Sequence, residues 1–170
     1  MKLRTLILML VVGCFASAQA QRYMGGDISM YTKYKEAGSK YYDTNGTAIT
    51  DLYAYFKEQG MNMMRVRLFV DPTKATSDER AWGAIQDLDY VIALGKRIKQ
   101  AGLALVLDFH YSDTWADPSD QWTPDAWKSL SDTELYTEIY KYTKDCLNQL
   151  KNEGVTPDFI QTGNEISYGM

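Results

Sequence analysis

Glu165 follows Asn164 close to the end of the 170-residue sequence, and a carboxyl group beside an amide can exchange a proton while the amide holds a hydroxyl. Other groups of chemical interest are Arg65 and Arg67, then Asp108, His110 and Asp113. Three kinds of chemistry compete for them. A metal cluster of Asp108, His110 and Asp113 is disfavoured, because His110 is the sole histidine and zinc sites usually need several nitrogen or sulfur ligands. A Ser-His-Asp arrangement would also have to use His110, yet no G-x-S-x-G elbow occurs. Carboxylate chemistry remains. A glutamate at a strand end, beside an amide and facing arginine, histidine and tryptophan, suits protonation of a glycosidic oxygen, which requires a carboxyl group kept protonated near neutral pH and a second carboxyl across the bond.

These residues need elements to position them. Tyr23 to Ser29 reads as a short strand, and Met63 to Val70 as a second, ended by Asp71-Pro72. Leu103 to His110 is a buried third strand, and Phe159 to Asn164 a fourth. Between them, Leu52, Tyr55 and Phe56 recur at helical spacing before Gly60, and Leu88 to Gln100 repeats the pattern before Gly102. Ser131 to Lys151 predicts a long helix, opened by a capping box of Ser131 with Glu134 and stopped by Gly154. The alternation of strand and helix is that of a parallel α/β protein. No glycine-rich phosphate loop follows the first strand, which disfavours a nucleotide-binding fold. Asn45-Gly46-Thr47 serves equally as a turn or as an N-glycosylation acceptor.

Strand alternation then sorts the side chains. Arg65 and Arg67 share one face of the second strand, while Met64, Val66, Leu68 and Val70 share the other. With the apolar face under the helices, both arginines point inward. Asp108 and His110 likewise share a face at the carboxyl end of the third strand, and Glu165 follows the fourth. Polar groups gathered where parallel strands end occupy the place of the active site in (β/α)8 barrels. Any one of them is explained by a buried salt bridge; the set is not.

Composition narrows the class further. Hydrophobic residues make up 45% and charged residues 24%, an ordinary globular balance, and a formal charge of −4 leaves no basic footprint for nucleic acid. Thirteen tyrosines and four tryptophans offer flat faces suited to sugar rings, though aromatics also fill cores. Lys2 and Arg4, the apolar run Leu6 to Ala16 and then Ala18-Gln19-Ala20 predict a signal peptide over residues 1–20, too short for a transmembrane span. The mature chain then begins at Gln21 and is secreted, periplasmic or held at the cell surface. Val12-Gly13-Cys14 offers a lipoprotein-like alternative with Cys14 acylated. Cleavage at Gln21 lowers the basic count from 18 to 16 against 22 acids and leaves Cys146 as a lone thiol, which reads as buried rather than nucleophilic.

The run Asp108-Phe109-His110-Tyr111-Ser112-Asp113-Thr114-Trp115-Ala116-Asp117-Pro118 strongly resembles the signature of the endo-β-1,4-galactanase family of glycoside hydrolases. Gly26-Asp27-Ile28-Ser29, the run Asn62 to Pro72 and Thr162-Gly163-Asn164-Glu165-Ile166 match in the same order, so the similarity covers nearly all of residues 21–170. The resemblance implies a (β/α)8 TIM barrel, of which this chain covers about the first four strands, that cleaves β-1,4-galactan side chains of pectic arabinogalactan with retention. It implies Glu165 as acid/base, Asn164 as the amide on the sugar's 2-hydroxyl and Arg65 as the inward arginine that steadies the nucleophile, with Arg67 beside it. His110 and Trp115 match positions lining the sugar site, and Asp27 a polar residue of the first strand. Strict alternation sets Asn164 and Glu165 on opposite faces, so both reach the sugar only if the strand bulges or ends there.

The family's nucleophile is a glutamate at the end of the seventh strand, beyond this chain. A barrel typically needs about 250 residues, so the sequence reads as an amino-terminal fragment, inactive by itself, of an enzyme expected to be monomeric when complete. No cofactor is expected in this segment, and the calcium that some relatives hold between late loops would also lie beyond it. Two other readings stay open: another retaining barrel glycosidase of mannanase or cellulase type, and a non-catalytic sugar-binding descendant.

Overall fold

A computed structural model describes residues 22–168. The predicted signal peptide, the start at Gln21 and the Cys14 alternative therefore lie outside the described residues. Four parallel strands form the main sheet: β1 (Gly25–Asp27), β4 (Met63–Leu68), β5 (Ala104–Phe109) and β6 (Phe159–Thr162), adjacent in that order. The intervening helices are α1 (Tyr31–Glu36), α2 (Leu52–Glu58), α3 (Ser77–Trp82), α4 (Leu88–Gln100) and α5 (Asp132–Asn152). A small antiparallel hairpin, β2 (Tyr41–Tyr42) with β3 (Ala48–Ile49), and a single 3-10 turn at Asp125–Trp127 complete the described elements.

The four parallel strands are those expected from the sequence, each stopping one or two residues sooner than expected. Helix α1, the hairpin and helix α3 lack an apolar repeat to announce them. Helix α3 buries none of its residues and stands on its capping box of Thr76 with Glu79, which satisfies the first backbone N–H groups. In the hairpin, the Asp43 carboxylate accepts the backbone N–H groups of Asn45 and Thr47, so the turn reading accounts for Asn45-Gly46.

The core follows strand alternation. On β4, Met64, Val66 and Leu68 are buried, and β5 places Leu105, Leu107 and Phe109 beside them in register. Helix α4 covers this layer with Val91, Ile92, Leu94 and Ile98, and α5 adds Cys146 and Leu150. Burial pushes the Cys146 thiol up to about 11, so it behaves as a small apolar group rather than a nucleophile. Strand β1 approaches β4 so closely that a Cβ on Gly25 would lie 1.8 Å from the Met63 carbonyl oxygen. Only glycine fits there.

The other face of the same strands is polar toward its carboxyl end. Residues in register there are Asp27 with Arg65, Arg67 with Asp108, and Asp108 with Gln161. Period-two alternation thus delivers the apolar set to the helices and the charged set to the concave side. Among the described residues, no helix is long and apolar enough to cross a membrane.

Candidate active site

Arg65 is the hub of the concave face. Its Nη1 donates to Asp27 Oδ2 at 2.7 Å, and its Nη2 donates to Asp108 Oδ2 and, at 2.7 Å, to Asn164 Oδ1. One planar guanidinium therefore ties together β1, β5 and the segment after β6, which a lysine's point charge would not do in the same geometry. Asp108 is fully buried, so this contact answers a charge that could not stay there alone.

Arg67, two residues on, takes a different place. Its guanidinium lies 4.4 Å from the Trp115 ring centroid, while Nη2 reaches Asp27 Oδ1 at 3.3 Å. Burial lowers the pKa of Arg67 below the ordinary arginine value, opposed by the neighbouring Asp27. The ring of Trp115 is set in turn by Phe69 and His110, whose centroids lie 5.8 and 5.9 Å away.

His110 is almost wholly buried. Its Nδ1 accepts the backbone N–H of Ala116 at 3.1 Å, which places the ring proton on Nε2. That nitrogen lies 3.2 Å from Asp108 Oδ2 yet outside hydrogen-bond geometry. Asp113, the third residue of the metal reading, is occupied elsewhere. It accepts the N–H groups of Asp71 at 3.0 Å and Asp125 at 2.8 Å, clamping two loops, and burial raises its pKa despite those bonds. Among the described residues no group of three or more metal-ligating side chains is found.

Strand β6 ends at Thr162, and the alternation ends with it. Gly163 has φ 103° and Glu165 φ 51°, so the two residues that a continued strand would send to opposite faces line the same cavity. A left-handed conformation is uncommon for a glutamate and typically costs about 1–3 kcal/mol, which surrounding contacts must offset. Those contacts converge on Asn164. Its Nδ2 donates to Ala116 O at 2.7 Å, and its Oδ1 accepts from Arg65 and, at 3.3 Å, from Gln161.

The resulting cavity holds about 440 Å³. Asp27, Arg65, Arg67, His110, Trp115, Asn164 and Glu165 all line it, so the side chains that the family resemblance points to meet at one place, while Asp108 lies beneath Arg65 and Asp113 stands apart. Asp117 of the run Asp108 to Pro118 lines it too, although the family resemblance assigns this residue no role of its own. Four buried polar atoms of lining or adjoining residues lack a protein partner: Arg67 Nε, Asp108 Oδ1, His110 Nε2 and Trp115 Nε1. Buried polar groups in native proteins are almost always paired, so their concentration at one cavity marks a place where polarity serves something other than folding. Sequence reasoning also missed Gln121 and Gln161, whose amides work on backbone and side chain of the segment 163–164. A glutamine in a loop or a strand carries no signal of such contacts.

Parallel strands, helices on the convex side and a polar cavity at the strands' carboxyl ends define the described residues as three βα units and a fourth strand of a (β/α)8 barrel. The sequence pattern of glycosyl hydrolase family 53 matches residues 23–170, and the chain belongs to that family. It is 40% identical over 151 residues to an arabinogalactan endo-β-1,4-galactanase of Thermothelomyces thermophilus, covering 89% of this chain and 42% of the relative. A solved structure of fungal β-1,4-galactanases superposes with a TM-score of 0.74 at 40% identity, over 86% of this chain and 41% of the other. The GH53 catalytic domain of Ignisphaera aggregans gives 0.75 at 37% identity, over 87% and 41%. The chain therefore spans about two fifths of the length of the proteins it matches.

Proposed function

We propose that this chain is the amino-terminal part of a secreted, endo-acting, retaining glycosidase that cleaves β-1,4-galactan. Membership of the family and the galactanase names of its relatives support the substrate class. The observation that carries the chemistry is the release of Glu165 from strand alternation into the cavity that already holds Asn164 and Arg65.

In this reading Glu165 gives its proton to the glycosidic oxygen as the bond to the anomeric carbon breaks, and the leaving sugar departs as a neutral alcohol. A second carboxylate attacks the anomeric carbon to form a glycosyl ester, and Glu165, now ionised, takes a proton from the water that hydrolyses it. The geometry requires the two carboxyl groups to stand about 5–5.5 Å apart. Asp27 and Asp108 are poor candidates for the second, since both are engaged by Arg65. The second group is assigned to the seventh strand of the complete barrel, where the family resemblance puts it. Asn164 holds the sugar's 2-hydroxyl through its remaining N–H, and Trp115, backed by Arg67, offers a face for a sugar ring.

The test is Glu165→Gln in the full-length protein. Proton transfer contributes about 10²–10⁴-fold, so hydrolysis of galactan should fall by that order, and activated aryl galactosides should be affected far less. Equal rates of wild type and variant on both substrates would overturn the assignment. Residues 21–170 alone should release no reducing ends from galactan; turnover comparable with the full-length protein, abolished by Glu165→Ala, would place the nucleophile within this chain. Galactan binding by the full-length protein without any turnover would instead favour the sugar-binding reading.

A further inference from the structure

Gln121 does not line the cavity, yet both hydrogens of its amide are committed. Nε2 donates to Asp117 O at 2.8 Å and to Asn164 O at 2.9 Å. Both partners are carbonyl oxygens, so only the amide nitrogen can serve and its orientation is fixed by chemistry. Asp117 is itself held in a tight turn, its carboxylate accepting Ser119 N at 2.7 Å and Asp120 N at 3.1 Å. Gln121 therefore links a stiff loop to the residue before Glu165.

The second partner matters most. The carbonyl of Asn164 shares its peptide plane with the N–H of Glu165, and that plane's orientation sets φ of Glu165. The same loop grips Asn164 a second time, since Ala116 O accepts its Nδ2 at 2.7 Å. Two bonds from one loop thus fix both the side chain and the peptide plane of residue 164. The next residue then adopts φ 51°, a conformation a glutamate does not favour by itself. We propose that Gln121 is a positioning residue that holds the Asn164–Glu165 peptide in this orientation and so aims the Glu165 carboxyl into the cavity. The functional half of this inference rests on Glu165 being the acid/base; the structural half does not.

The experiment uses the full-length protein, wild type and with Gln121→Ala or Gln121→Glu, each shown by thermal melting to be folded. Amide hydrogen exchange over residues 164–167 reads the positioning directly. It should accelerate in both variants while exchange in β4 and β5 stays unchanged; unchanged exchange over 164–167 would overturn the proposal whatever the substrate. Kinetics read the consequence. A displaced carboxyl can cost about 10²-fold even when the misplacement is near 1 Å, so kcat on galactan should fall toward that order with KM little changed. An activated aryl galactoside, which needs little acid assistance, should lose far less. Equal losses on both substrates would show a general structural role and refute the assignment. Gln121→Glu adds a pH signature: its carboxyl donates a hydrogen bond only when protonated, so its rate relative to wild type should recover as pH falls, and a pH-independent ratio would count against the proposal. If wild type itself fails to cleave galactan, the proposed function falls, and the exchange measurement still decides the role of Gln121.

Discussion

Two faces of the same strands obey different rules. Toward the helices, Met64, Val66, Leu68, Leu105 and Leu107 are buried among their own kind, and any similar volume of hydrocarbon would serve. Toward the concave side, the single guanidinium of Arg65 bonds Asp27, Asp108 and Asn164 at once, and four buried polar atoms nearby have no protein partner. Apolar burial is non-directional and tolerates repacking, whereas a planar cation shared by three acceptors tolerates none. The contrast separates what keeps the chain folded from what the fold is arranged to present.

Substitutions on each face should therefore fail in different ways. Glu165→Gln is the sharpest case. It should remove about 10²–10⁴-fold of galactan hydrolysis in the full-length protein and leave the melting temperature unchanged, because the Glu165 side chain is exposed and accepts no hydrogen bond among the described residues. A large loss of stability would place Glu165 in the scaffold instead.

Arg65→Met should damage both properties. It leaves Asp108 buried without its cation, a change that typically costs about 3–5 kcal/mol in denaturant unfolding. Adding Asp108→Asn to that variant should recover part of the stability and none of the activity. Failure of the second substitution to restore anything would mean that Arg65 contributes by packing rather than charge.

Leu107→Ala tests the apolar face. The side chain is fully buried, so the loss should be about 2–5 kcal/mol by chemical denaturation. Its kcat per folded molecule should match wild type. A change in kcat without a change in stability would dissolve the distinction between the faces.

The smallest effect belongs to Asp158, at the entry to β6. Burial works against its charge, but hydrogen bonds from Lys99 and from Leu105 N, both at 2.7 Å, outweigh it and hold its carboxyl below the ordinary range. A depressed folded-state pKa means the contribution is present above the unfolded value and is lost as pH falls through the folded one. Melting temperature should thus decline below about pH 4, and Asp158→Asn should flatten that decline slightly. An unaltered profile would assign the acid sensitivity to other carboxylates.

Legibility in the sequence followed the size of the local signal. The long apolar runs of β4 and β5, the repeat in α4 and the capping box of α5 could be read directly, because each is set by neighbours in sequence. Helices α1 and α3 and the strands of the hairpin, though not its Asn-Gly turn, escaped notice because they bury little: α3 none of its residues, α1 only Tyr31. At the site, the charged residues stood out as intrusions into strand patterns, whereas Gln121 and Gln161 looked like ordinary loop and strand residues. Their contacts with Asn164 depend on the close approach of the loop after β5 to the end of β6.

Alternation and motif spacing by themselves determined which residues face inward, which end of the sheet carries the chemistry and which family the chain resembles. These are consequences of a backbone period of two and of residue types, and they need no distances. Tertiary structure decided the rest. It chose Arg65 rather than Arg67 as the partner of Asp108, although Arg67 is the residue in register with it. It stopped β6 at Thr162, so that Gly163 and Glu165 could take positive φ and bring two would-be opposite side chains to one cavity. The physical reason is that side-chain reach and backbone conformation beyond a strand's end are set by contacts between segments distant in sequence, and local patterns carry no record of them.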